Sequence, residues 1–407
     1  MAHDFFTVHH QSKHSKARLG TITTDHGMIQ TPAFVSVATK GSLKSMIPSL
    51  ISETGTQVSF VNTYHLVTHP GTDIIAKAGG IHKFSHLSYP LMSDSGGFQV
   101  FSLGKKSEDN KKKHAYIRGE EEPFVLKISE DGVTFRSVYD GETVIFTPER
   151  SIDYQKQIGA DMIMAFDECT YYPSTYEYTQ KANMRTHQWL KRCIARMKNT
   201  EVISATQHQH LYGVIQGGTC EDLRKASAQY ITAQDVNGVA IGGVSVGESK
   251  KEMRDQVRWV SEFLPQDKPV HLLGVGELDD IADLVGYGID TFDCVEPTRL
   301  ARMGIVYQWE PIRQALAAAK GNISAISGNL GSYKLDITKG IYKGDLSSID
   351  TAADNYVTKN FSKAYLHHLL KQRELVGYTL ATYHNLWIME EIMKNIRTMI
   401  HSTAAVE

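Results

Sequence analysis

The chain has 407 residues, of which 41% are hydrophobic and 22% charged, a composition typical of a globular protein that buries a sizeable core. Its formal net charge of −2 argues against a global basic field for nucleic acid, although a local basic patch could still bind one. The four cysteines form no CxxC pair, and no apolar run reaches membrane-spanning length. We therefore expect a cytoplasmic protein without a disulfide framework or a zinc finger.

The N-terminal part of the chain predicts antiparallel strands. Residues 17–35 alternate polar and apolar positions around Asp25-His26-Gly27, a pattern typical of a β-hairpin.

Beyond this hairpin, short apolar runs alternate with amphipathic helical stretches. Seven such runs end in polar residues or glycine: 57–65, 89–97, 161–168, 211–218, 238–245, 270–277 and 288–294. Apolar strands that alternate with helices indicate a parallel sheet that is buried on both faces. No GxGxxG motif opens a helix after the first strand, which argues against a dinucleotide-binding sheet. We predict an α/β fold, a (β/α)8 TIM barrel with its functional residues at the C-terminal ends of the strands.

Two segments depart from this alternation. Residues 104–146 begin with a charged run around Lys111-Lys112-Lys113 and continue through two Asp-Gly pairs, which predicts an antiparallel insertion at the surface. The lysines could contact phosphate, but we interpret the run as a solvated loop. The tail from Phe361 has apolar residues at i, i+3 and i+4 and predicts C-terminal helices. We expect one domain over residues 1–400, including a C-terminal helical region at 327–400.

The stretch SDSGG at residues 93–97 raises the question of a serine nucleophile. It is similar to the nucleophile loop of trypsin-like proteases, but those are all-β proteins, which the alternation of strands and helices contradicts. Carboxylates are the more consistent feature, because four of them end apolar runs: Asp94, Asp167, Glu168 and Asp293. In a barrel such ends converge, so that one carboxylate can attack a sugar carbon while a second moves the proton. The pattern indicates glycosyl-bond chemistry, although any single aspartate could instead cap a helix.

Glycine and amide residues at two further strand ends favour a planar ligand. Gln216 precedes Gly217-Gly218, and Gly242-Gly243 follow the next run. An amide can bind the edge groups of a planar ligand, and glycine lets the backbone approach it closely.

An ordered set of long motifs makes the chain resemble the tRNA-guanine transglycosylase family over nearly its whole length. The motifs are TPAFVSVAT (31–39), NTYHL (62–66), SDSGGFQVFSLG (93–104), FDECT (166–170), GVIQGG (213–218), IGGVSVGE (241–248), LLGVGE (272–277) and GIDTFDCVEPTRLARMG (288–304). The resemblance implies exchange of the wobble guanine of GUN-anticodon tRNAs for a 7-deazaguanine, in queuosine biosynthesis, through a covalent intermediate with ribose. It also implies that the partners are tRNA, the incoming base and a second copy of the chain in a homodimer, with no membrane.

The resemblance assigns roles to individual residues. Asp293 matches the nucleophile, and Asp94 matches the acid/base residue that deprotonates the incoming base, so Ser95 becomes a binding residue. The other base-binding positions are Gly96, Gly97, Phe98 (the stacking aromatic), Asp167, Cys169, Gln216, Gly242, Gly243 and Val244. The tRNA-binding positions are Gly274, Val275, Gly276, Glu277, Leu278, Asp279, Asp280, Thr298, Arg299, Leu300, Ala301 and Arg302.

Two positions indicate which base the chain would insert. Cys169 and Val246 are as in bacterial members that insert 7-aminomethyl-7-deazaguanine, whereas relatives that take queuine differ at both.

Four positions bear on a metal, because the family holds a structural zinc on a CxCxxC motif and a histidine. His384 is present, but the cysteine positions hold Ala353, Asn355 and Thr358. One histidine cannot hold zinc in a structural site, so we predict no zinc and no other cofactor.

Two other functions stay open. The chain could be a non-catalytic tRNA-binding subunit of the same fold, although a subunit that only binds has no need of both Asp94 and Asp293. It could also be a carboxylate-based nucleosidase, although the base-binding residues and the arginine motif argue against simple hydrolysis.

Overall fold

The computed structural model describes residues 4–97, 124–137, 141–199 and 204–402. In this part of the chain the strands are β1 (Phe6–Gln11), β2 (Arg18–Thr24), β3 (Gly27–Thr31), β4 (Ala33–Val37), β5 (Ser59–Val61), β6 (Leu91–Ser93), β7 (Phe124–Ser129), β8 (Gly132–Arg136), β9 (Thr143–Phe146), β10 (Met162–Met164), β11 (His210–Ile215), β12 (Gly238–Ile241), β13 (Val270–Leu272), β14 (Thr291–Cys294), β15 (Ile305–Tyr307) and β16 (Lys334–Asp336).

The helices of the same residues begin and end as follows. They are α1 (Pro48–Ile51), α2 (Thr63–Thr68), α3 (Thr72–Lys77), α4 (Ile81–Ser85), α5 (Pro148–Ile158), α6 (Tyr176–Met197), α7 (Glu221–Thr232), α8 (Lys250–Ser261), α9 (Leu278–Val285), α10 (Glu296–Arg302), α11 (Trp309–Ala318), α12 (Ala325–Asn329), α13 (Tyr356–Asn360), α14 (Lys363–Lys371) and α15 (Leu375–Ser402). Short 3-10 helices lie at Ser52–Thr54 and Gly340–Tyr342.

Eight strands close into a barrel in the order β4, β5, β6, β10, β11, β12, β13, β14, with β14 paired in parallel to β4. The predicted TIM barrel is confirmed, and each of the seven apolar runs contains a barrel strand. The eighth strand is β4, whose first residues the sequence pattern had assigned to the N-terminal hairpin. Pro32 separates β4 from β3 without an intervening helix, which is why the pattern did not reveal it. The hairpin itself is confirmed, since β2 and β3 pair antiparallel beside β1.

The chain divides into two compact units. The first comprises Met1–Phe60, Ser85–Pro90 and Gln266–Glu407, and the second comprises Val61–Phe84 and Leu91–Pro265. The expectation of one domain over residues 1–400 stays a prediction.

A buried ion pair fixes two barrel strands within the first unit. The Arg18 guanidinium donates to the Asp290 carboxylate at 2.6 and 2.9 Å and to two backbone carbonyls just before β13. Asp290 also accepts the N–H of Val270 at 2.7 Å. Both charges are buried but fully hydrogen-bonded, as a charge inside a protein must be. The pair therefore ties the start of β13 to the start of β14.

The predicted antiparallel insertion is present in the second unit as a three-stranded sheet of β7, β8 and β9. Residues 98–123, with the lysine run, and 138–140 lie outside the described part of the chain. An aromatic series attaches this sheet to the barrel: Phe135, Phe146, Phe166 and Trp189 follow one another with ring centroids 4.8–6.2 Å apart. Aromatic contacts of this kind stabilise a core beyond their buried area.

The C-terminal helices are confirmed as α13, α14 and α15. In the described residues no helix combines the length and the hydrophobicity that a membrane crossing requires.

Candidate active site

Asp94 lies directly after β6, where three backbone and side-chain donors hold its carboxylate. The N–H groups of Thr63 and Gly96 donate to Oδ1 at 2.6 and 3.2 Å, and the Asn62 amide donates to Oδ2. Asn62 also caps α2, because its side-chain oxygen accepts the N–H of His65 at 3.1 Å. The start of α2 therefore presents N–H donors to the carboxylate, as helix N-termini do for anions.

Burial dominates the electrostatics of this carboxylate. It raises the pKa of Asp94 to about 7, against the lowering effect of the Thr63 and Gly96 donors, and the nearby charge of Asp167 adds a smaller increase. A carboxyl group with a pKa near neutrality can both give and take a proton at physiological pH.

Asp167 follows β10 and connects two other strand ends within the second unit. Ser95 Oγ donates to its Oδ1 at 3.2 Å, and Gln216 Nε2 donates to its Oδ2 at 2.7 Å. Burial raises the pKa of Asp167 to about 6, opposed by these two donors. Gln216 is itself buried, and its Oε1 has no hydrogen-bond partner among the described residues. A buried acceptor without a partner requires an explanation, and a ligand that donates a hydrogen bond would supply one.

The loop after β12 is shaped by glycine. Gly243 has φ of +62°, and a Cβ there would lie within 3.0 Å of Gln216 Oε1, closer than real Cβ contacts. Gly96 has the same requirement beside Asp94, because a Cβ would lie 2.5 Å from the Phe146 ring. At both positions a side chain would push away a neighbour that shapes the site.

Arg224 holds the loops after β11 and β12. It is fully buried on α7, and its guanidinium donates to the carbonyls of Gly218, Gly242 and Gly243 at 2.6–2.8 Å. It also donates to Gln256 Oε1 at 2.6 Å. Arg224 was not predicted from the sequence, although an arginine on the apolar face of α7 was a detectable signal.

Glu168 does not take part in this cluster. The Tyr178 hydroxyl donates to its Oε1 at 2.7 Å, and Arg185 pairs with its Oε2. This buried pair with α6 is structural, so only three of the four carboxylates predicted at strand ends remain as candidates for chemistry.

Cys169 and Val244, two of the other predicted base-binding residues, are buried next to the strand ends. Burial raises the pKa of the Cys169 thiol to about 12. Phe98 lies outside the described residues.

In the first unit, Asp293 is near the C-terminal end of β14. Its Oδ1 accepts two hydrogen bonds, from the N–H of Gly274 at 2.9 Å and from His271 Nε2 at 3.1 Å. Its Oδ2 accepts none from the residues that the structure describes. The side chain is 13% exposed, so the carboxylate is partly open to solvent while two donors fix its Oδ1.

The predicted tRNA-binding residues form two groups in this unit. Gly274 to Asp280 run from the strand end into α9, and the carboxylates of Glu277, Asp279 and Asp280 lie within 4.8 Å of one another. Such a cluster disfavours phosphate contact. On α10, Arg299 is exposed, whereas Arg302 is half-buried and donates to the carbonyl of Thr298 at 2.9 Å. Of the positions between them, Ala301 is buried and Leu300 is half-buried.

The four positions of the expected zinc site form a hydrogen-bonded cluster instead. His384 Nε2 donates to the carbonyl of Tyr307 at 2.8 Å, and its Nδ1 accepts from the Asn355 amide at 3.1 Å. Thr358 Oγ1 donates to the carbonyl of Ala353 at 2.6 Å. Burial lowers the pKa of His384, which favours this neutral imidazole. With both ring nitrogens engaged and no thiolate, the residues do not fit a structural zinc.

A closed α/β barrel with carboxylates at the C-terminal ends of its strands is the arrangement of a barrel enzyme, and a pair of carboxylates is what enzymes that act on glycosidic bonds use. The family model described as queuine tRNA-ribosyltransferase matches residues 12–406. The chain is 42% identical over 393 residues to the queuine tRNA-ribosyltransferase of Thermoanaerobacter pseudethanolicus, covering 97% of this chain and 92% of that protein. It is 38% identical over 400 residues to the protein of that name from Roseiflexus sp., covering 97% and 95%. The chain belongs to the queuine tRNA-ribosyltransferase family.

Proposed function

We propose that this chain is a cytoplasmic tRNA-guanine transglycosylase that replaces the wobble guanine of GUN-anticodon tRNAs with 7-aminomethyl-7-deazaguanine. The observation that carries the proposal is a pair of carboxylates in different environments. Two donors bind Oδ1 of Asp293, and its Oδ2 accepts no hydrogen bond from the described residues, which suits a nucleophile. Asp94 is half-buried with donors on both oxygens, and burial raises its pKa to about 7, which suits an acid/base group. Such differences separate the roles of two carboxylates in glycosyl chemistry.

The reaction proceeds in two displacements. In the first, Asp293 Oδ2 forms a bond to the ribose C1′ of the wobble nucleotide while the bond from C1′ to guanine N9 breaks. Guanine leaves with the electron pair and takes a proton from Asp94. In the second, Asp94 removes the N9 proton of the incoming base, N9 attacks C1′, and the ester electrons return to Asp293. The covalent intermediate holds the tRNA between the two steps.

Base recognition is supported by the cluster around Asp167. As a carboxylate it accepts N–H groups from a purine edge, and Gln216 Oε1 is a buried acceptor without a described protein partner. A base taken out of its stack is held by such edge contacts. Cys169 and Val246 support the aminomethyl base, and a competition assay in which queuine enters tRNA faster would refute that assignment.

Contact with tRNA phosphate is assigned to the arginines of α10. The strand-end loop at 274–280 is assigned to contact with bases or ribose, because its acidic cluster disfavours phosphate. Arg299 is exposed, and a guanidinium can bind phosphate or stack on a splayed base. The homodimer rests on the family resemblance alone, and light scattering tests it.

The C-terminal region is proposed to fold without zinc. The support is that His384 uses both ring nitrogens for protein hydrogen bonds, to Asn355 and Tyr307. A zinc-free region would keep its packing through this cluster, because every one of these polar groups is already satisfied.

The test is exchange of labelled guanine into unmodified tRNA bearing a GUN anticodon. The intact chain is compared with Asp293→Asn, which keeps the shape but cannot attack, and with Asp267→Asn, a change at an exposed residue that should retain activity. We expect exchange to disappear only in Asp293→Asn. Binding of tRNA without exchange by the intact chain would favour the non-catalytic subunit. Release of guanine without incorporation of a new base would favour a nucleosidase.

A further inference from the structure

A buried histidine contacts the carboxylate that the proposed function assigns as nucleophile. His271 lies on β13, opposite Thr291 in the parallel register with β14, and its side chain is fully buried. Its Nδ1 lies 2.9 Å from Thr291 Oγ1, and its Nε2 lies 3.1 Å from Asp293 Oδ1. Thr291 and Asp293 are two residues apart on one strand, so their side chains share a face. The imidazole therefore bridges both side chains of that face.

The partners determine which nitrogen carries the proton. An ionised carboxylate only accepts hydrogen bonds, so Nε2 is the protonated nitrogen and donates to Asp293. In the neutral ring Nδ1 is then an acceptor, and the Thr291 hydroxyl can donate to it. The Phe60 ring stacks on the imidazole with centroids 5.7 Å apart and an angle of 17° between the planes. The ring is thus fixed at both nitrogens and on one face.

We propose that His271 is a positioning residue that, together with the N–H of Gly274, holds Asp293 by Oδ1 and directs Oδ2 to the ribose carbon. Both donors act on the same oxygen, so they fix the rotamer without blocking the attacking atom. A reacting atom held in the correct geometry gains a large advantage in rate over a freely rotating one. The inference rests on the proposed function, because it assigns no chemistry of its own to His271.

The same contacts act in the second displacement. Once Oδ2 is esterified to C1′, Oδ1 is the carbonyl oxygen of the ester and still faces both donors. When the incoming base attacks C1′ and the C1′–Oδ2 bond breaks, negative charge returns to the carboxylate. Donors already aimed at Oδ1 stabilise that charge as it develops. His271 therefore assists both formation and breakdown of the intermediate without touching the substrate.

Three variants and a matched control test this role. His271→Leu removes the donor and keeps an apolar side chain, His271→Gln replaces it with an amide donor, and Thr291→Val releases the ring. His367→Leu is the control, because His367 is also a buried histidine whose Nδ1 lies 2.8 Å from a backbone carbonyl, that of Ile337. Each variant is assayed for labelled-guanine exchange with separate determination of kcat and of KM for tRNA, alongside its melting temperature.

We expect His271→Leu to lower kcat roughly 10- to 100-fold, less than loss of an entire oxyanion site because Gly274 still donates, with KM for tRNA unchanged. His271→Gln should recover most of this loss, and Thr291→Val should lower kcat by a smaller factor. His367→Leu should lose stability but keep kcat. Equal impairment in the Leu and Gln variants, or a kcat for His271→Leu near that of the intact chain, would overturn the inference.

Three further results keep the test decisive. If His271→Leu does not fold, an unchanged kcat in Thr291→Val overturns the positioning role, and a lowered kcat at normal melting temperature supports it. If the intact chain shows no exchange at all, the proposed function fails and this inference fails with it. If the intact chain exchanges guanine and the His271 variants do so equally well, only this inference fails.

Discussion

Substitution of Gly243 by alanine is expected to impair recognition of the base in addition to destabilising the fold. The new Cβ would lie within 3.0 Å of Gln216 Oε1, so the amide must move. Movement of the amide breaks its 2.7 Å hydrogen bond to Asp167 and displaces the acceptor proposed for the base.

Two energies set the size of the effect. A buried donor left without its acceptor costs about 1–3 kcal/mol, so displacement of Gln216 Oε1 weakens base binding by roughly 5- to 150-fold. The positive φ of +62° at Gly243 adds about 1–2 kcal/mol of backbone strain in the folded state. The first energy affects base binding, and the second affects stability.

The assay is KM for the incoming base in tRNA exchange, measured with urea unfolding. Gly141→Ala is the matched control, because Gly141 has φ of +75° and a Cβ there would meet nothing within 4 Å. Both variants should lose stability from strain, and Gly243→Ala should lose more because the hydrogen bond from Gln216 to Asp167 is also broken. Only Gly243→Ala should raise KM for the base. Equal KM values in the two variants would refute the proposed role of Gln216 in base binding.

Four further predictions concern the site and the C-terminal cluster. Burial raises the pKa of Asp94 from 3.8 to about 7. Because the ionised form is needed to deprotonate the incoming base, the rate of the second displacement should rise as pH increases through 7. The same raised pKa makes stability depend on pH, because the folded state holds the Asp94 proton more tightly than the unfolded state. The contribution of protonated Asp94 to stability is complete below pH 3.8 and is lost as pH rises through 7. The unfolding free energy of the intact chain should therefore fall relative to that of Asp94→Asn between these two pH values. Arg224→Met should cost at least about 3 kcal/mol in urea unfolding, because several buried carbonyls lose their donor, and an unchanged midpoint would contradict its role. The purified chain should contain no stoichiometric zinc by metal analysis, and its melting temperature should not respond to a chelator, whereas a structural zinc would make it do so.

The alternating pattern was sufficient to predict the barrel, because buried parallel strands are apolar along their length. It failed at β4, where a strand enters the barrel directly from a hairpin and no helix marks the change. The antiparallel insertion was predictable from alternating residues around Asp131-Gly132, because turn chemistry is local.

The site was predictable where it depends on strand ends and not where it depends on side-chain partners. Asp94, Asp167 and Asp293 were detectable because each follows or ends an apolar run. Asn62 and His271 were not, because their roles come from contacts with residues 32 and 22 positions away in the chain. Residue type and spacing cannot report such contacts. Glu168 also follows an apolar run, but its carboxylate is bound by Arg185 and Tyr178 and has a structural role.

The most direct test of the account is to identify the residue that bonds to ribose. The intact chain is incubated with unmodified GUN-anticodon tRNA, denatured, digested with protease and nuclease, and analysed by mass spectrometry for a peptide carrying a ribonucleotide adduct. We predict an adduct on Asp293 that is absent in Asp293→Asn and disappears when the incoming base is added before denaturation. An adduct on Asp94 or another carboxylate, or guanine exchange that proceeds in Asp293→Asn, would contradict it.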